Sequence, residues 1–340
     1  MIQYHFCFMI GFLGIWLYAQ PEILPKISEI NSFCRETTQQ LQEDQPVTTS
    51  TIKPSTPNKA FMQQINRLIQ QEQRDAYEIV LKKRSQKKWA REDRLQAEYI
   101  MQAGLFREAI EYLKSVQNRS DFWIAAGTAN WYLASLYQRL GNSAEAKLHQ
   151  QKALARFKEY TTRKGHKPAY FKQESERNER NFMQNKDYWM KSHQDYLQYT
   201  NQLASNPQDW ETCKKLVELC ISIEYRIESI VYANYALEAF ASTISLAEQN
   251  SLLWCLARQY TQTCQGRKAL QILERMEKAN FVGASEPEVI YCKAKAYLEL
   301  QRYPESKKLL QLLHQYPEFI KTNQWKIDRL EEDLSKTYEN

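Results

Sequence analysis

The sequence predicts an all-α protein in which antiparallel helix pairs stack into an α-solenoid, preceded by an apolar N-terminal helix and a disordered linker. Three observations predict it. Small and bulky residues alternate through Trp131 to Ala153 at the spacing two packed helices need, and the same pattern returns at intervals of 37 residues. The 340-residue chain also holds only eight glycines and ten prolines, which suits long helices and few tight turns. Strand signals are scarce, because the one β-branched cluster, Ile221 to Val231, is interrupted by Glu224, Arg226 and Glu228 at helical spacing. Stacked repeats share a continuous core, so residues 60–340 are expected to form one solenoid domain.

From the N-terminus, Ile2 to Ala19 is apolar apart from Gln3 and His5 and contains no Lys, Arg, Asp or Glu. Residues 1–19 therefore predict a signal peptide or a transmembrane anchor, near the lower limit of a spanning helix. No basic n-region precedes the run, and Lys26 and Arg35 follow it, so the side of the membrane on which the rest of the chain lies stays open. Residues 20–59 carry Pro21, Pro25, Pro46, Pro54 and Pro57 with Thr48-Thr49-Ser50-Thr51, a composition that predicts a flexible tether rather than a core. The expected placement is membrane-anchored or exported.

The clearest hairpin is Trp131-Tyr132-Leu133-Ala134, Tyr137, Gly141, Ala146 and Ala153. Ala134 and Tyr137 share a helical face, Gly141 ends that helix, and Ala146 and Ala153 put small side chains on the facing stripe of the next. Three further copies follow the same spacing. Ala97, Ile100, Gly104, Phe106 and Ala109 form one; Leu256, Ala257, Tyr260, Cys264, Gly266, Ala269 and Leu273 another; Ala294, Tyr297, Tyr303, Ser306, Leu310 and Leu313 a third. The clearest copies lie near 90–118, 127–156, 250–278 and 287–315. A fainter one spans Trp210 to Ala236, with Val217, Cys220, Ser229 and Ala236 in register. Residues 160–205 fit no copy and predict one or two long helices, set off by Thr161 to Pro168 before them and ended by Asn206-Pro207.

This pattern resembles the tetratricopeptide repeat, a family of right-handed helical solenoids that hold other proteins. The departures are local. The turn glycine becomes Cys264 and Gln301 in the later copies, and Gln150 stands where an aromatic is expected. The resemblance implies a protein or peptide partner held in the inner groove, where Trp131, Trp254 and Tyr291, each three residues before the small residue of its copy, would present large, stiff rings. Rings at such positions also pack between neighbouring repeats.

Charge concentrates in one place. Between Lys82 and Arg94 seven basic residues face Glu92 and Asp93, a net of +5 in a chain whose total is +6. Arg84, Lys87, Lys88, Arg91 and Arg94 recur at three and four, forming one helical stripe. It reads as a solvated face, as a contact for an acidic partner segment, or as a peripheral module on anionic lipid. In the resembled family Arg91 and Arg94 would face the groove, but Glu98 and Tyr132 stand where that family's carboxylate clamps carry asparagines. The remainder of the chain is too nearly neutral to argue for nucleic acid.

Catalytic and cofactor signatures are missing from the sequence. His149, His166, His193 and His314 are dispersed, no HExxH occurs, and Gly266-Arg267-Lys268 lacks the flanking residues of a phosphate loop. The cysteines beyond the apolar run make no CxxC pair and no zinc spacing, so buried thiols are expected, no cofactor and no metal. The expected role is a non-enzymatic scaffold or adaptor, with Arg84, Lys87, Lys88, Arg91, Arg94, Trp131, Trp254 and Tyr291 as candidate partner contacts. A small-molecule substrate is not expected.

Overall fold

The computed structural model describes residues 58–85, 97, 100–116, 123–162, 168–279 and 286–335. The apolar run 1–19 and nearly all of the 20–59 segment lie outside the described residues. Among the described residues all regular structure is helical, and no helix is long and apolar enough to cross a membrane. A helical stretch ends at Gln102. The helices with both ends described are α1 (Lys59–Ser85), α2 (Phe106–Val116), α3 (Trp123–Arg139), α4 (Ser143–Thr162), α5 (Pro168–Ser205), α6 (Trp210–Ser222), α7 (Arg226–Ala239), α8 (Leu246–Gln262), α9 (Gly266–Lys278), α10 (Pro287–Glu299), α11 (Tyr303–Leu313) and α12 (Pro317–Ser335).

The described residues fall into two compact units. The larger takes the described residues within 58–85, 199–221 and 225–335, and the smaller those within 97–198 together with 222–224. Within each unit helices pack in adjacent pairs: α3 with α4 in the smaller, α8 with α9 and α10 with α11 in the larger.

Among the described residues five helix–helix turns share one backbone geometry. Gly104, Gly141, Glu224, Cys264 and Gln301 adopt φ of 76°, 72°, 62°, 63° and 60°. The residue after each donates its N–H to the carbonyl five back: Leu105 to Ile100, Asn142 to Tyr137, Tyr225 to Cys220, Gln265 to Tyr260 and Arg302 to Tyr297, at 2.8 to 3.1 Å. This left-handed C-terminal cap satisfies carbonyls that the helix end would orphan, and it starts the next helix two residues later. Cys264 and Gln301 therefore perform the turn that glycine performs at Gly104 and Gly141.

Small residues sit at fixed offsets from that turn. Seven residues before it stand Ala97, Ala134, Val217, Ala257 and Ala294, and five after it Ala109, Ala146, Ser229, Ala269 and Ser306, all buried. Their size lets paired helices approach closely. Where serine replaces alanine its hydroxyl is used: Ser306 donates to the Ala294 carbonyl at 2.8 Å and Ser229 to the Arg226 carbonyl at 2.8 Å.

Successive hairpins also meet in one register. The first residue of a second helix touches the residue two before the next turn. Phe106 lies under the Arg139 guanidinium at 5.6 Å, Arg226 donates to Gln259 and Gln262, and Gly266 abuts Ala296 and Glu299. The residue identities change from copy to copy while the contact persists.

Two elements lie outside the hairpin pattern. α5 is a single 38-residue helix beginning at Pro168, and in the smaller unit its Phe182 stacks on Trp131 and its His193 rests on Gly141. α1 is capped by Asn58, whose Oδ1 accepts from the Phe61 N–H at 3.1 Å. Its buried Phe61, Ile65, Ile69, Ala76 and Val80 recur at helical spacing. In the larger unit Phe61 packs edge-on against Tyr235 at 5.3 Å, and Glu72 accepts from Lys268 at 3.0 Å and from Gln265. α12 closes the last hairpin by joining Phe319, Ile327, Leu330 and Leu334 to Ile290, Leu298, Leu310 and Leu313.

Candidate functional site

Of the basic stripe, Arg84 stands in the last turn of α1, while Lys87, Lys88, Arg91 and Arg94 lie outside the described residues. The three rings are described, and they differ. Trp131 is buried, clusters with Ala134 and Ala153, and stacks on Phe182 with centroids 5.9 Å apart, so α5 covers it. Trp254 on α8 and Tyr291 on α10 occupy the same repeat position, are half-buried, and belong to the larger unit.

That position places them beside charge. Arg258 follows Trp254 by four residues and Lys295 follows Tyr291 by four, so on each helix ring and cation share a face. α10 contacts both α8 and α12. From α12 a third cation arrives: the Lys326 ammonium lies 5.9 Å from the Tyr291 ring centroid, within cation–π range.

The helices hold these groups for identifiable reasons. α8 starts at a reciprocal capping box in which Ser245 accepts from the Glu248 N–H and the Glu248 side chain accepts from the Ser245 N–H. α10 starts with Pro287 in its first turn and buries Val289, Ile290, Cys292, Ala294 and Ala296, which leaves Tyr291 half-buried against the core that α12 closes and Lys295 half-exposed. α12 departs from helical geometry at Asn323 (φ −117°, ψ 23°). The Asn323 amide donates to the Phe319 carbonyl at 3.1 Å, and its Oδ1 accepts from Lys326 at 2.6 Å, fixing the ammonium near the kink.

The electrostatics record the crowding. Burial holds the Lys326 ammonium below the usual lysine range; Arg258 and Lys295 push the same way, while Glu288 and Cys292 oppose. Burial raises the Tyr291 phenol, helped by Cys292, Glu299 and Asp333 and opposed by Arg329. The Cys292 thiol is pushed up to about 11 by burial, with Lys295, Arg258 and Lys326 and a hydrogen bond to Thr261 working against it. Among the described residues no carboxylate lies within ion-pair distance of Arg258, Lys295 or Lys326. Elsewhere in the unit Lys214 pairs with Glu248, Lys268 with Glu72, and Lys293 with Glu277.

The reading of the sequence passed over Arg258, Lys295 and Lys326. A signal existed for two of them, since the pairs Trp254/Arg258 and Tyr291/Lys295 repeat at 37 residues. Lys326 lies beyond the last copy and had none.

Rings beside cations can hold an anionic, partly apolar segment. Among the described residues no cluster of histidine, cysteine and carboxylate side chains is disposed to hold a metal ion. Cys213, Cys220, Cys255, Cys264 and Cys292 are buried free thiols. No protein-family model matches the chain, and no curated protein does.

Proposed function

We propose that this chain is a non-enzymatic scaffold: a right-handed, tetratricopeptide-type solenoid that captures a segment of a partner protein on the face made by the first helices of its hairpins. One observation carries the reading. Hairpins of the same turn geometry meet in the same register, so equivalent residues of successive first helices, Trp254 and Tyr291 among them, come into line. A repeated row of rings suits an extended or helical segment, whose ordering cost is offset by contact with stiff aromatic surface. The apolar run Ile2 to Ala19 and the proline-rich segment after it support a tethered or exported scaffold.

Site-directed photo-crosslinking tests the proposal. Benzoylphenylalanine replaces either Trp254 on the first-helix face or the exposed Glu274 on the second helix of the same hairpin. A discrete protein adduct from position 254 that is missing from position 274 is the expected result. Adducts from 274 alone, or none from 254, would overturn it.

A further inference from the structure

In the larger unit three cations stand on adjoining helices, and among the described residues none has a carboxylate within ion-pair distance. Arg258 is exposed on α8, Lys295 half-exposed on α10, and Lys326 half-buried on α12, next to the Tyr291 ring. Holding like charges together costs free energy, and Glu288 offsets part of that cost at Lys326. A surface with no binding role would be expected to pair or disperse such charges, as this unit does at Lys214, Lys268 and Lys293.

We infer that the face shared by α8, α10 and α12 is a binding site for an acidic protein segment, whose carboxylates bridge Arg258, Lys295 and Lys326 while its apolar atoms lie on Trp254 and Tyr291. The inference rests on the scaffold reading and adds the chemistry of the partner. The recess of Lys326 decides the class of occupant. Its ammonium is half-buried and held by Asn323, so a planar lipid surface reaches Arg258 more readily than Lys326, whereas a glutamate side chain projecting from a peptide can enter the recess. The rings favour a peptide over a bare phosphate chain, because apolar side chains give them a partner along the whole row. Each carboxylate that bridges two cations removes a repulsion as well as forming an attraction, so affinity should depend on all three residues together rather than on one.

The site differs from the basic stripe between Arg84 and Arg94. It is assembled by tertiary packing across 69 positions of sequence, from Arg258 to Lys326 counted inclusively, so no local charge count displays it.

The test measures fluorescence anisotropy of a labelled oligoglutamate peptide with the full-length protein, with oligoglutamine as the neutral control. The wild-type protein is expected to bind oligoglutamate alone, with affinity falling as salt rises. The variant R258Q/K295Q/K326Q should bind at least about tenfold more weakly, while K215Q/K278Q/K308Q, which removes three exposed lysines elsewhere in the unit, should bind as wild type. Should the first variant lose its helical circular dichroism, Arg258→Gln alone replaces it, since Arg258 is exposed; a measurable loss is still expected. Equal loss in both triple variants, or unchanged binding in the first, would overturn the inference. So would recovery of the wild type, but not of R258Q/K295Q/K326Q, on phosphatidylserine vesicles or a short oligothymidylate without any peptide binding. If the crosslink from position 254 persists in R258Q/K295Q/K326Q, the scaffold reading stands and the acidic-segment site falls.

Discussion

Gly266 and Glu299 approach each other so closely that a methyl group on Gly266 would lie 2.9 Å from the Glu299 Oε2 and 2.8 Å from the Ala296 carbonyl oxygen. Both distances are inside the contact limit of real side chains, and one of the two atoms belongs to backbone that cannot rotate away. The glycine is thus required by a neighbouring hairpin, not by its own backbone conformation. Gly266→Ala is expected to destabilise the larger unit by about 1–3 kcal/mol, the usual range for overpacking. Urea titration of the single variant and of the double variant with Glu299→Ala separates the two contacts. Glu299→Ala should return only part of the loss, since the Ala296 carbonyl remains.

The turn residues make a paired prediction of opposite sign. Gln301 sits at φ 60°, where a side chain with Cβ is strained and glycine is not, and its buried amide nitrogen lacks a hydrogen-bond partner among the described residues. Gln301→Gly is therefore expected to stabilise by about 0.5–1 kcal/mol, despite the greater freedom of glycine in the unfolded chain. Gly141 has the same conformation with φ 72°, and an added methyl would also collide with the His193 ring. Gly141→Ala is expected to cost about 1–3 kcal/mol. A glycine at 301 that lowers the unfolding midpoint would contradict this account of the turns.

How much of this could be read from the chain depended on whether one residue carried the signal. Pro168 and Asn206-Pro207 bracket α5 because proline ends or begins a helix by its own covalent geometry, so the 38-residue helix was legible apart from whether it was one or two. The small residues Ala134, Ala146, Ala257 and Ala269 were legible for the same reason: close approach admits few substitutes. The turns at Cys264 and Gln301 were harder, since the left-handed conformation is imposed there by flanking helices rather than by the residue. The contact between successive hairpins was not legible at all. Phe106 with Arg139, Arg226 with Gln262, and Gly266 with Glu299 share a geometry but no chemistry, so only coordinates reveal that they are one interaction. The candidate site failed to show for a related reason, as Arg258, Lys295 and Lys326 gain meaning only when three helices bring them together.

Thiol reactivity checks the packing of the repeats independently. Cys213, Cys220, Cys255, Cys264 and Cys292 are buried, and burial raises the thiols of Cys213 and Cys220 well above their usual range and that of Cys255 to about 12. The thiolate is the reacting form, so burial limits access to all five and disfavoured ionisation further protects Cys213, Cys220, Cys255 and Cys292. A disulfide-exchange reagent is expected to leave all five unmodified in native buffer and to modify them once the chain unfolds in denaturant, as peptide mass mapping would read out. Labelling of Cys220 or Cys255 in native protein would mean that the hairpins are not packed as described.

The smaller unit carries a stability that should depend on pH, and the sign follows from two histidines. The His149 ring is buried on Tyr137, with Nδ1 2.8 Å from the Asn130 Oδ1 and Nε2 3.7 Å from Glu145. Burial lowers its affinity for a proton, Lys152 and Lys114 add to that, and Glu145 opposes. His193, stacked on Tyr196 and resting on Gly141, is lowered by burial as well. In the unfolded chain a histidine titrates near about 6.5. Above that value both states are neutral and the full stability is present; as pH falls through it the unfolded chain takes up protons that the folded chain resists, and stability declines towards the depressed folded values. Buried carboxyls work the other way. Glu108 in the smaller unit is raised by burial, and so is Glu238 in the larger, pushed up to about 7; each favours the folded state as it protonates, so the slope of either unit or of the whole chain is not set by the histidines alone. The informative quantity is therefore a difference. Between about pH 7 and about pH 5 the wild type should lose stability relative to a His149→Gln/His193→Gln variant, whose side chains keep a polar group but cannot protonate. Parallel urea midpoints for the two proteins across that window would show that neither ring is held neutral by its surroundings.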